Sequence, residues 1–507
     1  MKGKLSMCLN DECFDFQRFS KSKVAVFISG PGNLEFPWAL ETAMRLKRVG
    51  AQVTVFDVSD YSLKYSARIK VLGRQLPIKA RKILRRTLLK QNTRIENKVS
   101  HICALNDITY FRSESGKKVN KYYSRKLVKI SDFKDVYWGL LRASKIIHTH
   151  LSSKYKKNLI DDSLVPLTLV LGIRESILET FNFIQTISST EFSYYFACNG
   201  RQPVQAALST YLRQLGCSVY LYEGGGGYIF PEILNRHIDY WETSPANYIE
   251  NQAKILCQKR LRQTNPDLTE KVVSAFQTRN FIPYALDFLT ENSSKFDEAS
   301  LGIGNNYAFF ATSQFEFSVL VEHEKKSEVF QNQIDAVTFI LKNLNPSDKL
   351  FIRLHPSDPN MPTQHDSEWE IFRTHSQVEI IDSDNRLNSY QLARSMRANF
   401  VWESTIGYEF ALTNIPVAIM SSEAIYASCI PENCIDDDEK LKAFFINPLP
   451  PKSTFLLSYA NYLAQGGFQI KTSREEPSRK IFLLDEQVDV YKKMFNLLPD
   501  RIRINIT

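Results

Sequence analysis

No stretch of this chain is long and apolar enough to cross a bilayer. The longest mostly apolar run, Leu164 to Ile173, is interrupted by Pro166 and Gly172 and falls far short of the roughly 20 residues that a spanning helix needs. Met1 to Phe16 is not expected to be a secretory signal, because it carries Asp11, Glu12 and Asp15 and has no apolar centre. Membrane contact is therefore expected only from outside the bilayer. Paired cysteines are missing too: the eight fall at 8, 13, 103, 198, 217, 257, 429 and 434, with no Cys-x-x-Cys among them. That spacing argues against a structural zinc site and a secreted disulfide framework, and it fits a reducing cytoplasm. Repeats and low-complexity tracts are absent as well.

One segment is short of acids. From Lys64 to Lys98 there are twelve Lys or Arg and one acid, Glu96, so part of the net charge of +9 is concentrated here. Ile83, Leu84, Leu88 and Leu89 lie within it at helical spacing. A basic amphipathic helix suits the anionic face of a membrane; an ordinary solvated helix packed by its apolar stripe has the same pattern. Nucleic acid is not indicated, since no aromatic-interleaved or RNA-binding motif accompanies the charge.

With 507 residues, 43% hydrophobic and 23% charged, the chain can bury more than one large core. It reads as α/β: two Rossmann-like doubly wound domains. An N-terminal domain is expected over 1–265, with a basic helical insertion over about 60–190. A linker (266–305), a second domain (306–475) and a helical tail (476–507) follow. Lys23 to Ile28 is a β-branched and aromatic run, and the turn Ser29-Gly30-Pro31-Gly32-Asn33 comes after it. A helix closing at Gly50 and a strand from Gln52 to Val58 complete a parallel βαβ unit. Further on, Ser193 to Cys198 predicts a strand ending at Asn199-Gly200-Arg201. Val204, Ala207, Leu208, Tyr211, Leu212 and Leu215 form one helical stripe closed by Gly216. A strand to Tyr222 then enters Glu223-Gly224-Gly225-Gly226-Gly227.

Two constellations in the second domain could carry chemistry. Arg353-Leu354-His355-Pro356 ends a buried strand. Arg offers a planar fork for phosphate oxygens, and His can donate a hydrogen bond or a proton near neutral pH. A strand-end His bonded to a backbone carbonyl is the plainer alternative. Glu403-Ser404-Thr405-Ile406-Gly407-Tyr408-Glu409 follows another strand and opens a helix. Hydroxyls at that position suit an anion or simply cap the helix. Glu409 is either a ribose acceptor or a surface acid.

Together, these segments resemble a family. Phe310 to Phe317, Arg353-Leu354-His355-Pro356, Ser389-Tyr390-Gln391-Leu392, Ser404 to Glu409 and Ile415-Pro416-Val417 are similar in order to the C-terminal half of bacterial surface-carbohydrate and capsular-polysaccharide glycosyltransferases. Asn199-Gly200-Arg201 and Tyr222-Glu223-Gly224 resemble the same family upstream. His-Pro followed by Ser-Thr is also similar to the donor-phosphate motif of CMP-sugar-dependent sialyl- and Kdo-transferases. The resemblance implies a GT-B fold, two Rossmann-like domains facing a central cleft. A nucleotide sugar, with a CMP-sugar as one candidate, would sit on the C-terminal domain and a glycan or lipid-linked acceptor on the N-terminal one. It implies that His355, Ser404 and Thr405, with Arg353, hold the donor phosphate, and that Glu409 contacts ribose. The chain departs from the family at Glu223-Gly224-Gly225, where Glu-Arg-Gly is expected, and at Glu409-Phe410, where Glu-Ala is expected.

The acceptor-side assignments are more open. Glycosyl transfer needs a base on the acceptor hydroxyl or a nucleophile, and Glu223 in its Gly-rich loop is the best-placed carboxylate; an incidental loop acid is the alternative. Arg201 binds an acceptor or donor anion or forms a structural ion pair, Asn199 adjoins it, and Glu316 lines the cleft or caps a helix. Asp382-Ser383-Asp384 and Asp436-Asp437-Asp438 spell metal motifs by letter but read as loops. No metal and no cofactor beyond the sugar donor is expected. His101, His148, His150, His237, His323, His365 and His375 read as structural or surface residues. Transfer to a growing surface polysaccharide at the inner face of the cytoplasmic membrane is the leading expectation. A CDP-alditol phosphotransferase of wall-polymer synthesis and a non-catalytic GT-B-like assembly protein are the alternatives.

Overall fold

The computed structural model describes residues 14–29, 35–58, 99–112, 137–138, 141–142, 146, 167–188, 192–198, 203–224, 237–242, 270–275, 296, 301, 303–312, 330–355, 369–383, 385, 387–421, 424, 426–452, 456–457, 460, 468–469, 473–475, 481–483 and 486–487. No helix among them is long and apolar enough to cross a membrane.

Two parallel sheets organise these residues. The first contains β1 (Lys23–Ile28), β2 (Gln52–Asp57) and β3 (Thr109–Arg112). A separate antiparallel pair, β4 (Tyr137–Trp138) and β5 (Leu141–Arg142), lies between β3 and the next sheet strands. Those are β6 (Tyr194–Cys198), β7 (Ser218–Gly224) and β8 (His237–Glu242), giving the sheet order β8-β7-β6-β1-β2-β3. The neighbours from β7 to β3 are parallel, and β8 joins β7 antiparallel.

The second sheet has five parallel strands: β9 (Asn306–Phe310), β10 (Lys349–Arg353), β11 (Val378–Ile381), β12 (Ala398–Val401) and β13 (Val417–Ile419), in the order β11-β10-β9-β12-β13. In each sheet the chain winds outward from its first strand, returns, and winds outward on the other side. That is the doubly wound Rossmann order, in which ligands bind outside the carboxyl ends of the strands where the direction reverses.

Parallel strands covered on both faces must be apolar at successive positions, and these are. Tyr307, Phe309 and Ala311 pack with Ala336, Val337 and Ile340 of the helix Gln333–Lys342. Ala308 and Phe310 turn the other way, toward Tyr390, Leu392 and Ala393 of Ser389–Ser395 and Phe410 of Ile406–Leu412. The first sheet repeats the scheme. Val24, Val26 and Ile28 meet Ala39, Leu40 and Ala43 of Glu35–Arg48. Ala25 and Phe27 meet Ile177 and Ile184 of Leu167–Ser188 and Val204 and Leu208 of Pro203–Gln214. The last of these helices ends at Gly216, whose φ of 79° is a left-handed turn favouring glycine.

Three regions differ from the sequence expectation. Within 60–190, read as mostly helical, β3 joins the sheet, because Thr109-Tyr110-Phe111 is a β-branched and aromatic run entered through Asp107 at φ 52°. In the same stretch, Tyr137–Trp138 and Leu141–Arg142 pair antiparallel as β4 and β5 where helix was expected. Near the other end, β14 (Phe468–Gln469) pairs antiparallel with Ile238 and His237 of β8 and extends the first sheet. Beyond it lie β15 (Ser473–Glu475), β16 (Ile481–Leu483) and β17 (Glu486–Gln487), so the described residues of 476–507 are strands instead of the expected helix.

Candidate functional site at the carboxyl edge of the second sheet

The register brings the two second-domain motifs together. Phe310 of β9 faces Arg353 of β10 on one side and Val401 of β12 on the other. Two residues past each of these stand Thr312, His355 and Glu403, beyond the strand ends at the point where the winding reverses. Neighbouring strands lie about 4.8 Å apart, so the ends of β10 and β12 are separated by roughly 10 Å.

Side chains from other elements fix this edge. Gln333, fully buried, clamps Thr312 from both sides: its Oε1 accepts from the Thr312 N–H at 2.7 Å, and its Nε2 donates to the Thr312 carbonyl at 2.8 Å. The Thr312 hydroxyl accepts from the Glu403 N–H at 3.1 Å, tying β9 to β12. Ser421, fully buried beyond β13, donates to Glu403 Oε1 at 2.8 Å. Tyr426 donates to the Ser404 carbonyl. Gly407 makes room for that bond, since a Cβ there would stand 2.5 Å from the Tyr426 hydroxyl and 2.6 Å from Val401 Cγ2.

His355 is exposed at the mouth of this edge, and Thr405 is exposed beside half-buried Ser404. Thr405 is the N-cap residue of Ile406–Leu412, yet its side chain makes no capping hydrogen bond. Capping therefore does not account for the hydroxyl. Glu409, half-buried, lies in the first turn of the same helix.

Arg353 has a different setting. It is 3% exposed, and its terminal nitrogens donate to the carbonyls of Asp382 and, at 2.7 Å, of Asn385. The guanidinium thereby braces the turn that follows β11. In the same turn, the Asp382 carboxylate is held by Arg373, whose guanidinium is pushed above its ordinary pKa by Asp382 and then by Glu370. Asp437 caps the helix Asp438–Ile446 by accepting from the Lys440 N–H at 2.7 Å, and Asp436 pairs with Lys440. Asp438 pairs with Lys442 at 3.2 Å. Among the described residues, no three His, Cys, Asp or Glu side chains gather as a metal site.

The structure thus brings His355, Ser404, Thr405 and Glu409 to one edge of one sheet. Glu223 lies near the carboxyl end of β7, in register with Asp239 of β8, and its side chain is outside the described residues. Asn199, Arg201, Glu316 and the basic segment 64–98 lie outside them as well. Thr312, Gln333, Glu403, Ser421 and Tyr426 were given no role from sequence. Glu403 adjoins the Ser-Thr pair and Thr312 ends a strand, which are local signals; Gln333, Ser421 and Tyr426 arrive through tertiary packing.

No family model matches the chain, and no curated relative does. Among solved structures, it is similar to two Kdo transferases of Thermosulfurimonas dismutans KpsC. The beta Kdo 2,4 transferase is 11% identical, with 62% of this chain and 88% of that one covered and a TM-score of 0.32. For the beta Kdo 2,7 transferase the values are 11%, 69%, 94% and 0.33. The S. aureus MnaA-UDP co-structure is 10% identical over 89% of this chain and 93% of that chain, with a TM-score of 0.27. Scores this low lend no argument, and the architecture rests on the strand order and register above.

Proposed function

We propose that the chain is a GT-B-type glycosyltransferase that moves a sugar from a nucleotide-activated donor, a CMP-sugar being one candidate, to a surface polysaccharide or lipid-linked glycan. The observation that carries this is the convergence of His355, Ser404 and Thr405 at the reversal point of the second sheet, with the Thr405 hydroxyl not engaged in capping. Hydroxyl donors and an imidazole on a rigid strand edge suit a leaving phosphate, whose negative charge grows as the sugar departs. Arg353 supports them from behind by holding the neighbouring turn. On this reading the phosphate is held without a bound metal, Glu409 accepts from ribose, and Glu223 on the first sheet is the candidate acceptor-side base. Asn199, Arg201 and Glu316 would contact the acceptor or line the cleft. Residues 64–98 would touch anionic lipid at the inner face of the cytoplasmic membrane.

The test is His355→Ala assayed for transfer from a nucleotide-sugar panel, with circular dichroism to check the fold. Transfer should fall by about a hundredfold or more, as when one transition-state donor is lost, while the melting curve stays in place. An unchanged rate would remove His355 from the site. Release of CMP with glycerol phosphate in the product would instead favour alditol-phosphate transfer.

A further inference from the structure

On the reading of His355, Ser404 and Thr405 as a donor-phosphate site, we infer that the Thr312 hydroxyl is a further ligand of that phosphate. It donates its proton to a phosphate oxygen from the central strand, between the two strands that carry the other groups.

Thr312 follows β9, which lies between β10 and β12 in the second sheet. His355 follows β10, and Ser404 and Thr405 follow β12, so Thr312 stands on the strand between the two sides of the site. Neighbouring strands are about 4.8 Å apart, a span that one phosphate group with its hydrogen bonds can cover.

The bonds of Thr312 leave one donor over. Its N–H donates to Gln333 Oε1 at 2.7 Å, and its carbonyl accepts from Gln333 Nε2 at 2.8 Å. Its hydroxyl accepts from the Glu403 N–H at 3.1 Å. A threonine hydroxyl also has a proton to give, and no acceptor for it stands among the described residues. Thr312 is 8% exposed, and a buried donor left without an acceptor costs stability. Two more hydroxyls at this edge are in the same position. Thr405 makes no side-chain capping bond, and the Ser404 hydroxyl likewise finds no acceptor among the described residues.

Three hydroxyl protons on two adjacent strands, none of them spent within the described residues, suit a ligand made of acceptors, as a phosphate is. Accepting from the Glu403 N–H polarises the Thr312 O–H and strengthens it as a donor. Because Gln333 holds the Thr312 backbone from both sides, the hydroxyl is fixed before a ligand arrives, and binding costs little ordering there.

The experiment is calorimetric titration of CMP and UDP, up to millimolar concentration, into wild type, Thr312→Val, Thr312→Ser, the double variant Ser404→Ala, Thr405→Val, and the triple variant that adds Thr312→Val. Melting curves accompany each. Thr312→Val removes the hydroxyl, and affinity for the nucleotide that the wild type binds should fall by about tenfold or more, as for a lost hydrogen bond to a charged group. Thr312→Ser keeps the hydroxyl and should restore binding. If Thr312→Val does not fold, Thr312→Cys takes its place with a similar expected loss, since a thiol is a weak donor. A Thr312 that only holds the Glu403-Ser404 backbone would act through Ser404 and Thr405, so its effect would vanish once their hydroxyls are gone. A direct ligand keeps its effect there, and the triple variant should bind more weakly than the double by a similar factor. Unchanged affinity in Thr312→Val, a loss that Thr312→Ser shares, or equal affinities of the double and triple variants overturns the inference. If the double variant loses affinity and Thr312→Val does not, only the role of Thr312 fails. If neither nucleotide binds the wild type, or the double variant binds as the wild type does, the phosphate-site reading fails with it.

Discussion

The two sheets share one winding order and differ in how their edges and cores are held. Around the first sheet, aromatic rings dominate: Phe19 is fully buried, with Tyr194, Tyr220 and Phe196 at ring distances of 4.9, 5.2 and 5.3 Å. Arg18 lies over Phe14, Phe19 and Tyr220. Its strand ends are tied by tyrosine hydroxyls, Tyr222 to the Phe27 carbonyl at 2.5 Å and Tyr110 to Asp57 at 2.7 Å. The second sheet instead locks its carboxyl edge with amides, short hydroxyls and one guanidinium. Gln333, Thr312, Ser421 and Arg353 all reach loop backbone or Glu403 there. A frame stabilised mainly by ring packing tolerates polar substitution at its edge; an edge built of polar ties presents fixed donors and acceptors to a ligand. On the proposed reading, the donor site uses the second of these edges.

The largest expected effect breaks the first sheet alone. Phe19→Ala should cost about 3–5 kcal/mol, as for other large-to-small core changes, seen as a lowered denaturation midpoint. Nucleotide affinity at low temperature should be retained, and its loss would mean that the two sheets do not divide the labour as described. Arg353→Ala comes next, at about 2–3 kcal/mol, because it leaves two carbonyl acceptors without their partner. Here affinity should fall with stability, and Arg353→Lys should not rescue it, since an ammonium cannot reproduce the fork. Equal affinity in Arg353→Ala would separate the turn after β11 from the site.

Gly407→Ala should cost about 1–3 kcal/mol by overpacking against Val401 and Tyr426. Adding Tyr426→Phe should recover part of it, because one of the two close contacts goes. A smaller effect concerns pH. Burial pushes the Cys103 thiol of the first-sheet core from 9.0 to about 12. The folded state therefore holds this proton more tightly than the unfolded chain. Its contribution is complete below pH 9.0 and is lost as pH rises toward about 12. Cys103→Ala should flatten the alkaline fall in stability over that window, and an identical slope would remove the thiol as its cause.

Much of the second sheet was legible in sequence because its strands are short apolar runs bounded by turn residues. The buried strand before Arg353-Leu354-His355-Pro356 and the strand before Glu403 were read and are β10 and β12, and the helix Pro203–Gln214 stops just before Gly216, where its stripe was closed. The third strand of the first sheet was missed, since Thr109–Arg112 is brief and lies amid polar, basic sequence. Two-residue strands such as Phe468–Gln469 have no periodicity to read; their pairing partner, 230 residues away at β8, supplies the conformation. In the site, His355 and the Ser404-Thr405 pair were visible as local motifs at strand ends. Arg353 illustrates the limit of that logic. Its residue type suits a phosphate, but the turn at Asp382–Asn385 offers carbonyls that only the folded chain brings within reach.

The most direct test of the donor-phosphate site is a calorimetric titration of a bound nucleotide sugar against wild type and the double variant Ser404→Ala, Thr405→Val. Neither change removes a described capping bond, so the melting temperature should hold while affinity drops by about tenfold or more, the loss expected when charge-assisted hydrogen bonds to a phosphate are removed. Unchanged affinity in a folded double variant would contradict the account.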